Sequence, residues 1–200
     1  MKIHKLPIFG FLVFTLLVGS LAAGCGSGQV GSAELLAEFE RVVDRVERHS
    51  FPSFRLTIYF MDPRLRTPVT VSVDDLISGR SGASKIVVDM LVLDESIGLF
   101  KKIRQRDLVV VDTSSCGYGE GTGADYVNAR LHYAFETILG DKILDVTLWG
   151  YCWNSEGRRE KTIRVNGVAV ESNEALFNVI APLLPNYART LFIDNWGKGW

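Results

Sequence analysis

Between residues 54 and 170 apolar side chains recur at every second position in stretch after stretch, interrupted by a single short helical pattern that begins at Asp94. Phe54-Arg-Leu-Thr-Ile-Tyr-Phe60 alternates in this way, and Val69-Thr-Val-Ser-Val73 does so again after Asp62-Pro63, which predicts a hairpin. Lys85 to Leu93 is apolar on both parities apart from Asp89, the pattern of a central strand covered on both sides. Leu108–Val111, Tyr126–Phe135, Lys142–Trp153 and Lys161–Val170 complete the set, the last broken by the turn dipeptide Asn166-Gly167. Strands that follow one another without regular helical crossovers pair antiparallel, which excludes a doubly wound parallel sheet and a barrel of alternating strands and helices.

Helices are expected at the two ends. Ser32 is placed to cap Ala33–Arg48, where Leu35, Leu36, Phe39, Val42, Val43 and Val46 form one apolar stripe. Glu34 and Glu38 lie early in that segment and Arg45 and Arg48 late, matching the helix dipole. Asp94 is placed to cap a short helix through Lys102, and Ser172 to cap a final helix over Asn173–Ala181 that Pro182 ends. The expected fold is therefore α+β: a mostly antiparallel sheet of five to seven strands with an N-terminal amphipathic helix and a C-terminal helix, in a single domain over residues 33–200.

The first 24 residues are a different polymer. Fifteen of them are hydrophobic, and Lys2 and Lys5 are the only charged residues before Glu34. A basic start, an apolar run from Leu6 to Leu21 and the small residues Ala22-Ala23-Gly24 before Cys25 read as a signal peptide over residues 1–24. The last residues resemble the lipobox of bacterial lipoproteins, with Ala22 in the slot where that family usually has Leu. The resemblance covers the first 25 residues only. It implies that Cys25 carries a diacylglyceryl group and becomes the N-terminus of an exported, membrane-anchored protein. An uncleaved spanning helix over Leu6–Ala23, ordinary signal peptidase cleavage after Ala22, and a buried core helix are the competing readings. Gly26-Ser-Gly-Gln-Val-Gly-Ser32 has tether composition, so residues 25–32 fit a lipidated cysteine with a flexible spacer. Without the leader the chain holds 20 basic and 23 acidic residues, near −3, with no Lys/Arg run. The expected partners are the membrane, through the anchor, and an unknown ligand or envelope protein; nucleic acid is excluded.

Chemistry is sparsely marked. With Cys25 lipidated, Cys116 and Cys152 are left as either a disulfide or two separate thiols. His49 and His132 are the histidines beyond the leader, and neither stands in a zinc spacing, so no metal and no cofactor is expected. Gly119-Glu-Gly-Thr-Gly-Ala124 fits G-x-G-x-x-A, but seven residues separate it from the preceding strand and a strand follows it, against the strand-turn-helix that phosphate binding needs. The same loop lacks carboxylates at calcium-ligand positions, and the chain has neither a nucleophile elbow nor a phosphate loop. Asp74-Asp75 and Asp94-Glu95 suit helix caps and turns better than acid–base pairs. No catalytic residue is assigned.

Parity within the strands carries the functional expectation. Val127, Ala129, Leu131, Tyr133 and Phe135 form an apolar face opposed by Arg130 and His132, while Arg55, Thr57 and Tyr59 oppose Leu56, Ile58 and Phe60. If these strands share a sheet, its second face carries Arg55, Tyr59, Arg130 and His132. It is then either a site for an anionic or hydroxyl-rich ligand or a solvated surface. Trp149, Tyr151 and Trp153 share one parity and Val146, Leu148 and Cys152 the other, so both faces of that strand require cover. The leading functional expectation is a non-enzymatic lipoprotein that binds a ligand or an envelope protein through the polar face. An envelope assembly component that uses Trp196 and Trp200 is the second, and an exported hydrolase built on His132 and Glu136 the third.

Overall fold

A computed structural model describes residues 30–48, 54–65, 71–88, 90–111, 127–137, 139, 141–153 and 159–196. The leader, Cys25, the tether up to residue 29, the Thr113–Gly123 loop and Trp200 lie outside them. Six strands form one sheet: β1 (Phe54–Phe60), β2 (Ser84–Val87), β3 (Val127–Thr137), β4 (Lys142–Trp153), β5 (Arg159–Val165) and β6 (Val168–Glu171). Their order is β2-β1-β3-β4-β5-β6 and every pairing is antiparallel, so the fold is α+β. Beyond β6, Val110 pairs with Val170 in an isolated bridge; Val111 donates to Ala169 and Glu171 to Val109, which makes the Leu108–Val111 stretch a fragment of sheet.

Most of the helices lie on one face. α1 (Ser32–Glu47) presents Leu35, Phe39, Val42, Val43 and Val46 to the sheet, as its stripe requires. Gly31, not Ser32, is the N-cap: its carbonyl accepts from Glu34 and Leu35, and Ser32 is the first helical residue. α3 (Met90–Phe100) packs beside α1, and the chain closes the layer with α4 (Ala175–Asn178), a 3-10 turn at Ala181–Leu183 and α5 (Asn186–Asn195). The main core lies between this layer and the sheet, with Leu56, Ile58, Leu131, Tyr133, Phe135, Leu144, Val146 and Leu148 from the strands meeting Phe39, Phe100, Phe177 and Phe192 from the helices.

Three expectations change. Lys85–Leu93 is not a central strand: β2 is a four-residue edge strand, and after it the chain turns into α3 four residues ahead of Asp94. The apolar residues at both parities reflect this hand-over, since Leu93, Ile97 and Phe100 form a helical i, i+4, i+7 stripe into the core. The expected strand Val69–Val73 is overtaken by a helix. Ser72 accepts from the Asp75 N–H at 3.1 Å and the Asp75 carboxylate accepts from the Ser72 N–H at 3.1 Å, a capping box that starts α2 (Val73–Ile77). The final helix is also split, because Pro182 confines the first part to short turns, and α5 follows as a further helix with Ala188 and Phe192 buried.

Strand register shifts at three places, between Val127 and Leu131 and between Phe135 and Glu136 on β3 and between Thr147 and Gly150 on β4, and two of them move a side chain to the other face. Between Leu131 and Val127, β3 spends four positions on the two that β4 spends between Leu148 and Gly150; Ala129 consequently leaves the Leu131 face and packs with Tyr59, Met61, Val71 and Leu76. On β4, three positions from Thr147 to Gly150 face two on β5, and Trp149 there has φ 71°. The Trp149 ring therefore joins Leu148 on the helix side instead of opposing it. It lies 4.8 Å from both Phe192 and Trp196, edge-on to the latter. Asn166 (φ 48°) and Gly167 (φ 79°) form the left-handed pair expected of a two-residue hairpin turn between β5 and β6.

Candidate functional site

The face of the sheet away from the helix layer is polar, and its residues line up across the strands. Lys85, Tyr59, His132, Thr147 and Arg164 are consecutive cross-strand partners from β2 to β5. One row further along, Val87, Thr57, Ala134 and Asp145 are partners, and beyond them Arg55 stands opposite Glu136. β1 and β3 thus bring Arg55, Tyr59 and His132 onto one surface, as their parities imply. Arg130 sits at its end, where its guanidinium donates to the Leu65 carbonyl at 3.0 Å and lies 3.3 Å from the Met61 sulfur.

This face is closed, not solvated. His132 and Thr57 are 0% exposed, Tyr59, Thr147 and Thr162 are each 4% exposed, and Arg130 is 3% exposed. α2 covers part of it through Leu76, which meets Tyr59, Met61 and Ala129. Arg55 is the open member: its side chain is 40% exposed and lies 3.6 Å from the largely buried Glu136 carboxylate. Lys85 holds its ammonium 5.5 Å above the Tyr59 ring, and the Tyr59 and His132 rings are 6.1 Å apart.

Burial decides the charge on His132. Loss of hydration pulls its pKa down to about 4, against the opposing attraction of Asp145 and with the repulsion of Lys142 assisting. The ring is neutral at pH 7. Its Nδ1 pairs with the Thr147 hydroxyl at 2.9 Å, while Nε2 is buried with no hydrogen-bond partner. The buried Thr57 hydroxyl, on the same face, also has none. With the Thr147 hydroxyl donating to Nδ1, Nε2 is an N–H donor; with Nδ1–H donating to that hydroxyl, Nε2 is an acceptor; in either tautomer Nε2 and the Thr57 hydroxyl lack a partner.

Of the other residues singled out from the sequence, Glu136 is paired with Arg55 four positions from His132 and has no contact with it that would make an acid–base pair. Trp196 packs on Phe177 and Trp149 at 5.1 and 4.8 Å. Cys116 lies outside the described residues and Cys152 is in β4, so a Cys116–Cys152 bond, like the Cys25 lipid, falls outside them too. Among the described residues no group of three His, Cys, Asp or Glu is arranged to hold a metal, and no helix is long and apolar enough to cross a membrane. Reading from the sequence missed Thr147 and Lys85; both lie on the polar face, but only the register shows that they belong to the His132 row. It also missed a groove of about 570 Å³ between α1 and α3, floored by Phe39 and Phe100 and spanned at its rim by the Lys101–Glu47 ion pair. That groove holds none of the nominated residues.

No family model matches the chain, and no curated protein or solved structure does either.

Proposed function

We propose that the protein is a lipid-anchored component of a bacterial cell envelope, exported and held through Cys25, whose α+β domain binds a ligand on the sheet face bearing Arg55, Tyr59, Arg130 and His132. The observation that carries this reading is the pair of buried, unpartnered polar atoms on that face, His132 Nε2 and Thr57 Oγ1. Each such atom costs about 1–3 kcal/mol when left unpaired, and folding alone gives no return for it. A bound ligand does: a hydroxyl, which can donate or accept, satisfies Nε2 in either tautomer, and the Arg55 guanidinium supplies a cation for an anionic group. A neutral imidazole with a capped Nδ1 positions a ligand without trading protons at pH 7, in keeping with binding rather than hydrolysis.

Two measurements test the two parts. Cys25→Ser should abolish labelling by radioactive palmitate and move the protein out of the membrane fraction; retention in that fraction refutes the anchor. Native mass spectrometry of the protein extracted from its own membranes should show a non-covalent mass beyond the lipidated chain, lost in His132→Leu. A spectrum of the lipidated chain alone refutes the binding role.

A further inference from the structure

The polar face can take a ligand only if its cover moves, because His132 and Thr57 are both 0% exposed. Part of that cover is the stretch 71–83, which contains α2 and leads into β2. These residues carry their own hydrogen bonds. The Ser72–Asp75 box closes the start of α2, and at its other end the Ser78 and Ser81 hydroxyls both donate to the Asp75 carbonyl at 3.3 Å. The Gly79 N–H donates to the Leu76 carbonyl at 3.2 Å and the Gly82 N–H to the Gly79 carbonyl at 3.0 Å, closing two turns between α2 and β2. Gly79 and Gly82 have φ of 71° and 73°, the left-handed conformation that a side chain would strain. Attachment to the sheet is of a different kind. Leu76 sits in a small apolar cluster with Tyr59, Met61 and Ala129, separate from the main core, and the Val71 carbonyl accepts from the Ala129 N–H at 2.9 Å. A unit bonded within itself and seated on a satellite cluster opens more readily than the core beside it.

We infer that residues 71–83 are a lid: α2 lifts from the sheet as a unit, turning at Gly79 and Gly82 while the main core stays folded, and so admits a ligand to the His132 row. Leu76 packs on Tyr59, the cross-strand partner of His132 whose ring lies 6.1 Å from the imidazole, so its departure uncovers that row. In the shut form His132 Nε2 and the Thr57 hydroxyl lack partners, and in the open form water or ligand supplies them. That gain offsets part of the cost of exposing Leu76. The lid deepens the ligand reading and takes its purpose from it, but the motion is measurable without ligand.

Carbethoxylation of His132 by diethyl pyrocarbonate at pH 7 reads the opening, because a neutral imidazole reacts once the reagent reaches it; peptide mass mapping separates His132 from His49. In the full chain, refolded free of ligand in detergent micelles, the rate should be nearly flat in urea below the unfolding transition, since a small opening exposes little surface. Leu76→Ala should raise the rate about a hundredfold by loosening the lid. Val46→Ala, in the main core on α1, should leave it unchanged, because the open and shut forms share that core; were global unfolding the route, the same substitution would raise it about tenfold. A rate that climbs with urea as steeply as global unfolding does, or one that Val46→Ala accelerates, overturns the lid. The ligand reading fails separately, on a native mass spectrum of the lipidated chain alone, which leaves these rates untouched.

Discussion

Acidification should destabilise this domain through one histidine. His132 is fully buried and its pKa falls to about 4, against 6.5 for an unperturbed imidazole. The unfolded chain therefore takes up the proton first as pH drops. The stability associated with the neutral ring is complete above pH 6.5 and is lost progressively between 6.5 and about 4, a total of about 3 kcal/mol. Asp62 and Asp75 act elsewhere on the scale: Arg64 and Ser72 respectively hold their carboxyls below 3.8, so their stabilisation is present above that value and is lost only in stronger acid. The comparison is with His132→Asn, whose amide reaches the Thr147 hydroxyl as Nδ1 does but does not titrate. Urea unfolding of both proteins at pH 7.5, 5.5 and 4.2 should show the wild-type advantage shrinking by about 3 kcal/mol as pH falls. An NMR titration of the His132 ring should place its pKa near 4. A stability difference independent of pH, or a His132 ring that titrates near 6.5, refutes the closed polar face.

Other perturbations read single features. Gly167→Ala meets nothing within 4 Å but retains φ 79°, so it should cost about 1–2 kcal/mol from backbone strain alone in thermal unfolding. Phe100→Ala empties a site where the ring packs edge-on to Phe135 at 5.2 Å and near Tyr133, and should cost about 3–5 kcal/mol in urea unfolding. Glu47→Gln removes the half-exposed partner of Lys101 and should change the unfolding free energy by less than about 1 kcal/mol, an effect that disappears in high salt.

Local periodicity carried most of the architecture. The α1 stripe, the four strands from Phe54 to Val170 that became β1, β3, β4 and the β5–β6 hairpin, and the Asn166-Gly167 turn were all legible, because each is written in residues close along the chain. Failures came where one local pattern serves two structures. Lys85–Leu93 is apolar at every parity because an edge strand and a helix share it, and Val71-Ser-Val73 alternates although the Ser72–Asp75 capping box converts it to helix. Bulges are invisible to parity: Ala129 and Trp149 change faces where two extra residues on β3 and one on β4 are absorbed without a counterpart on the neighbouring strand. The same logic applies to the site. Arg55, Tyr59 and His132 were found by alternation within their own strands, whereas Thr147 and Lys85 join them only through the register. That the face is closed could not be read from alternation, which gives the same pattern for a solvated and a covered surface.

If the polar face is kept for a ligand at a cost to stability, removing the unpartnered Thr57 hydroxyl should stabilise the fold, and Thr57→Val tests this most directly. Valine has nearly the shape of threonine and removes the buried hydroxyl that lacks a partner. Urea unfolding of ligand-free, refolded protein should show the variant more stable than wild type by about 1–3 kcal/mol. A variant less stable by about 1 kcal/mol or more would mean that the hydroxyl is satisfied within the fold, and the face would then be structural.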